Sequence, residues 1–84
     1  MITVSTQDYE RLHGTRPRGR GTWIFFFQVH RHLMRIAWST DMGYAEALRE
    51  ATARARRDGY THIDVGRDPS HRHRPRTLIL RRPL

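Results

Sequence analysis

The chain has 84 residues, of which sixteen are Arg, none Lys and eight acidic, for a formal net charge of +8. It has no Cys, which excludes a disulfide framework and a thiolate metal site, and no apolar run approaches the ~20 residues of a membrane helix. A single small domain over residues 1–84 must then be held by its own core, unless a partner chain contributes.

Residues 1–4 form a short apolar stub that reads as an edge strand. Ser5 or Thr6 can cap a short helix running to about His13, with Asp8 and Glu10 in the first turns, where the helix dipole favours acids. Gly14 suits the position just past that helix. Residues 14–21 (GTRPRGRG) then read as a loop, on three Gly and a Pro. Residues 22–29 (TWIFFFQV) are aromatic and β-branched, a strand with Trp23, Phe25, Phe27 and Val29 on one face and Ile24 and Phe26 on the other. Apolar residues on both faces point to a central strand. Residues 33–38 (LMRIAW) form a second strand, paired antiparallel through a tight connection at 30–32.

Asp41 or Gly43 starts the one long helix, and a cap at Gly43 places Glu46 at the reach-back position of a capping box. Tyr44, Ala47, Leu48, Ala51 and Ala55 recur as one apolar stripe. Glu50 and Arg54 form an i, i+4 pair. Gly59 ends the helix, with Tyr60 placed for the apolar contact of a Schellman motif. Residues 61–65 alternate Thr61, Ile63 and Val65 against His62 and Asp64, a half-buried strand. Residues 66–75 are a polar loop, 76–80 (RTLIL) a last strand, and 81–84 a flexible tail. The predicted fold is α+β: a small, mostly antiparallel sheet of four to five strands, with one long helix and one short N-terminal helix packed on it.

The charge is unevenly distributed. Between Arg11 and Thr40 there is no acid beside Arg16, Arg18, Arg20, Arg31 and Arg35, and none from Pro69 onward beside Arg72, Arg74, Arg76, Arg81 and Arg82. GC-rich codon usage explains Arg in place of Lys, but not the excess of base over acid. Two acid-free arms around a balanced centre suggest a surface that meets a polyanion. Arg16, Arg18 and Arg20, with Gly19 among them, make one candidate phosphate-binding loop, since guanidinium forks hold phosphate oxygens bidentately. Arg72, Arg74 and Arg76 make a second, and Arg31 and Arg35 add to the surface.

Other chemistries are weaker in the sequence. His30-x-His32 and His71-x-His73 have strand-facing spacing, but a structural zinc site wants four ligands and no Cys completes one. His32, Arg35, His62 and Arg76 could meet on one sheet face in the manner of small basic ribonucleases, with no diagnostic spacing. Trp23, Phe25 and Phe27 could stack bases, although so apolar a run reads better as core. No metal, cofactor or catalytic residue is expected.

Residues 18–56, with Gly21-Thr22-Trp23 leading a hairpin and Tyr44-Ala45-Glu46-Ala47 opening a helix, resemble the three-strand-plus-helix DNA-binding domains of plant ethylene-response factors and phage integrase arms. That resemblance implies a basic sheet entering the major groove. The chain departs from it by lacking one strand before the helix, adding two after, and placing apolar Phe25 and Phe27 where those domains are polar. HGTRPRGRGTWIFF (13–26) followed by GYAEALREA (43–51) is similar to small proteins carried by phages and prophages. This second resemblance names no activity, but implies a mobile-element protein of the kind that inhibits host defence complexes, anti-CRISPR proteins included.

The sequence thus predicts a small basic non-enzymatic module of the bacterial cytoplasm, contacting nucleic acid through Arg-rich loops. The alternative is a phage inhibitor that binds a host protein or ribonucleoprotein. DNA, RNA and protein all stay open as partners, and an aromatic strand in so short a chain makes a homodimer a further expectation. The N-terminus, without a basic or apolar leader, carries no secretory signal, and no contact with a membrane is expected.

Overall fold

The computed structural model describes residues 2–30, 32–66 and 77–80. In chain order the elements are β1 (Thr3–Ser5), α1 (Gln7–His13), β2 (Arg20–Gly21), β3 (Ile24–Val29), β4 (His32–Ser39), β5 (Met42–Gly43), α2 (Tyr44–Asp58), β6 (His62–Gly66) and β7 (Thr77–Leu80). The fold is α+β, as the periodicities predict. The tail at 81–84 and most of the loop at 66–75 lie outside the described residues.

The aromatic strand β3 is the middle of a five-stranded sheet ordered β1-β6-β3-β4-β7. It pairs antiparallel with β4 on one side and β6 on the other, while the edge strands β1 and β7 run parallel to β6 and β4. The sheet is therefore mixed, antiparallel at its centre and parallel at both edges. Local hydrophobic pattern carries no information on the direction of an edge strand, so only the central hairpin was legible. His30 turns that hairpin with φ +50°. The register shifts between Phe27, which faces Arg35, and Gln28, which faces Leu33, so Met34 is the extra residue of a bulge.

The two faces of β3 have different environments. Phe25 lies between Ala37 and Val65, and Phe27 between Arg35 and Ile63. This face carries both helices, and Trp23, Phe25, Phe27, Ile63 and Val65 are buried with Tyr9 of α1 and Ala47, Ala51 and Ala55 of α2. The alanine stripe brings the helix axis close enough to the sheet to seal the aromatic rings. Leu48 and Tyr44 pack at the margin of this core. On the opposite face Ile24 and Ile36 are buried, Phe26 and Trp38 are half-buried, and Gln28, His62 and Asp64 make a polar end.

Helix ends follow the predicted chemistry in part. At the C-terminus of α2, Gly59 (φ +85°) donates to the Arg56 carbonyl at 3.3 Å and Tyr60 to the Ala55 carbonyl at 2.9 Å, the paired bonds of a Schellman motif. Only a residue without Cβ adopts that left-handed conformation cheaply. Tyr60 then packs 5.3 Å from the Phe27 ring. At the N-terminus Gly43 has no side chain to cap with, and the Tyr44 amide donates instead to the Gly19 carbonyl at 2.8 Å. In α1 the Thr6 hydroxyl does not cap the helix but donates to the Glu10 carboxylate. Arg54 reaches Asp58 at 2.9 Å, one turn onward, in place of the predicted partner Glu50. Asp58 stands at the C-terminal end, where the dipole disfavours a carboxylate, so cations gather there.

Candidate nucleic-acid interface

The loop at 15–20 is fixed at several points. Pro17 is buried while its neighbours Arg16 and Arg18 are exposed. The Gly19 carbonyl accepts from the first amide of α2. β2 pairs with β5 in a small two-stranded ladder, Arg20 opposite Gly43 and Gly21 opposite Met42. Arg20 Nε donates to Asp41 Oδ2 at 3.1 Å, and its Nη2 to the Asp41 carbonyl at 3.4 Å.

Below the loop, Trp23 is tied down by its backbone and its ring. Its amide donates to Ser39 Oγ at 2.7 Å, its carbonyl accepts from the Ser39 amide at 2.8 Å, and its indole Nε1 donates to the Met42 carbonyl at 3.2 Å. An aromatic row runs from His13 through Tyr9 and Trp23 to Tyr44, with ring centroids 4.4, 5.7 and 4.9 Å apart in turn. The loop therefore stands on a rigid seat, and Arg16 and Arg18 project from it. Neither has an ion-pair partner among the described residues.

The other predicted arginines divide. Arg20 and Arg35 are not unopposed, as the acid-free stretch around them implies. The fold brings Asp41 to Arg20, and Asp58 to within 3.9 Å of Arg35. Sequence distance hides both pairings, since Asp41 lies in the bend after β4 and Asp58 at the end of α2, both beyond the hairpin. Arg31, Arg72, Arg74 and Arg76 lie outside the described residues. Asp58 also binds Arg54 and Arg57, so three guanidiniums surround one carboxylate. The hydrogen bond from Arg54, with that from Arg57 and the charge of both, holds the Asp58 carboxyl below the usual carboxylate range.

One part of the surface escaped the sequence reading. Around α2, Glu46 and Glu50 fall on one flank, while Arg49 and Arg56 fall on the other with Ala45, Thr52 and Ala53. This second flank has no acid. With Tyr44 and Leu48 it lines an open, mainly apolar groove of about 490 Å³. Burial pushes the Tyr44 phenol above its ordinary pKa, so it stays protonated and neutral. Arg49 and Arg56, seven residues apart, form a basic flank of the same helix whose apolar stripe packs on the sheet.

Among the described residues of the catalytic grouping, Arg35 and His62 do not share a sheet face, and Arg76 lies outside the described residues. Arg35 shares a sheet face with Phe27 and Ile63 beneath the helices, and His62, next to Ile63 in the strand, points to the opposite face. His62 Nδ1 lies 2.7 Å from the Thr61 hydroxyl, and Gln28 Nε2 donates to Asp64 Oδ2 at 2.6 Å. Trp23, Phe25 and Phe27 have no exposed surface and cannot stack bases. Among the described residues no three His, Asp or Glu converge as a metal site, and no helix is long and apolar enough to cross a membrane. No protein-family model matches the chain, and comparison with curated proteins and with solved structures finds no match.

Proposed function

We propose that the protein is a non-enzymatic module that binds nucleic acid, with Arg16 and Arg18 as its primary phosphate contacts. The observation that carries this reading is the pair of exposed guanidiniums, without acid partners among the described residues, on a loop held by Pro17, Gly19, Arg20 and the β2/β5 ladder. A loop already ordered in the free protein loses little entropy on binding, and guanidinium forks match phosphate oxygens. Arg20 serves the loop through Asp41 and so positions its neighbours. The net charge of +8 adds long-range attraction for a polyanion.

A substitution series at Arg18, read by fluorescence anisotropy on labelled oligonucleotides, tests the reading. Phosphate contact depends on charge, so affinity is expected to fall in the order Lys, Ala, Glu, with Lys retaining most of it. If Lys is as harmful as Ala to the cellular phenotype while nucleic-acid binding is unchanged, Arg18 sits in a protein pocket. The protein would then act as a phage-type inhibitor of a host complex.

A further inference from the structure

We infer that the groove along α2 is a track for a single nucleic-acid strand, continuous with the arginine loop. The inference rests on the nucleic-acid reading above and specifies the form of nucleic acid. The two surfaces join at Tyr44. Its amide takes the Gly19 carbonyl of the loop, and its side chain lines the end of the groove. The loop that carries Arg16 and Arg18 is therefore joined to α2 at the Tyr44 end of the groove, while Arg49 and Arg56 follow along its side, about 10 Å apart by helical rise.

The composition of the groove selects the occupant. A site for a bare strand needs cations for phosphates and apolar or aromatic surface against which bases lie. Here Arg49 and Arg56 supply the first, and Tyr44, Leu48, Ala45 and Ala53 the second. A neutral Tyr44 phenol adds no repulsion toward phosphate. Thr52 offers a hydroxyl beside them, and among the described residues no Asp or Glu lines the groove. A duplex keeps its bases stacked inside and presents phosphates on a convex surface, so it can engage the loop but gains nothing from a concave apolar floor.

The test compares equal-length single-stranded DNA, single-stranded RNA and duplex DNA by anisotropy, with wild type, Ala53→Glu, Arg49→Ala and Arg56→Ala. All three positions are exposed, and far-UV circular dichroism checks that each variant stays folded. Wild type is expected to bind the single strands at least about ten-fold tighter than duplex, and Ala53→Glu to lose at least about ten-fold on single strands. Each Arg→Ala is expected to lower the single-strand salt slope by about 0.7. Duplex bound as tightly as single strands, or groove variants at wild-type affinity while Arg16→Ala and Arg18→Ala weaken binding, would overturn the groove assignment and leave the loop as the site. No binding of any nucleic acid overturns both. Capture of an acidic amphipathic peptide that Ala53→Glu abolishes, without single-strand binding, assigns the groove to a protein.

Discussion

The two faces of the central strand should respond very differently to truncation. Phe27 has no exposed surface, faces Ile63 and the Arg35 stem across the sheet, and meets Tyr60 at 5.3 Å beneath the alanine stripe of α2. Phe27→Ala leaves a cavity that the sheet and helix cannot close without moving, at a cost of roughly 3–5 kcal/mol. At 0.05–0.15 kcal/mol per residue, a chain this long is stable by roughly 4–13 kcal/mol, so the variant loses much of its margin. One kcal/mol moves the Tm of a domain this size by about 4–8 °C, which places the loss at roughly 12–40 °C. Phe26 lies on the other face and is half-buried, so Phe26→Ala should cost only about 1–2 kcal/mol. Phe27→Leu, expected to cost about 1–1.5 kcal/mol, gives a folded comparison if Phe27→Ala does not melt cooperatively. Thermal melts by circular dichroism, with urea titrations to check that m is unchanged, read all three. Equal losses for Phe27→Ala and Phe26→Ala would refute the assignment of the core to one face.

Three further outcomes follow from particular contacts. Ser39→Ala removes the acceptor of the buried Trp23 amide, and should cost about 1–3 kcal/mol in a urea titration, with the loop amides at 18–21 exchanging faster by hydrogen exchange. Gly66→Ala places a Cβ 2.8 Å from the Phe26 ring, so the ring must move, and a Tm loss equivalent to about 1 kcal/mol is expected; Phe26→Leu in the same background should recover part of it. Asp58 has a lowered pKa in the folded state, so its stabilising contribution is full above the unfolded carboxylate pKa and is lost as pH falls through the folded value; Asp58→Asn should flatten the fall of Tm below about pH 4 relative to wild type, and an unchanged acid profile would contradict the Arg54 and Arg57 assignment.

The sequence was most readable where one residue pattern had one physical solution. Two-sided apolarity put β3 at the centre, and the Tyr44/Ala47/Leu48/Ala51/Ala55 spacing placed α2 on the sheet. Gly59-Tyr60 identified its terminator, because a left-handed glycine followed by an aromatic has few other uses. Contacts between distant segments were not readable in this way. The β2/β5 ladder is two residues long on each side and leaves no periodicity. The parallel direction of β1 and β7 depends on crossovers rather than on their own residues. The acid-free stretch from Arg11 to Thr40 suggests that Arg16, Arg18, Arg20, Arg31 and Arg35 are unopposed, yet Arg20 and Arg35 find Asp41 and Asp58 through the fold. Arg16 and Arg18, exposed on either side of the buried Pro17, have no ion-pair partner among the described residues. Arg49 and Arg56 were missed because their flank shares a helix with the core stripe, and net charge along a helix conceals how charge is divided around it.

The salt dependence of binding tests the central claim most directly. Arg16, Arg18, Arg49 and Arg56 have no ion-pair partner among the described residues. At about 0.7 per phosphate on a single strand, four such contacts give a slope of log K against log salt of about −3 or steeper. The double variant Arg16→Ala/Arg18→Ala should reduce that slope by about 1.4 while leaving Tm within the range of about ±0.5 kcal/mol typical of surface changes. A wild-type affinity that is flat from low to physiological salt, or a slope that the double variant does not change, would contradict phosphate recognition by this loop.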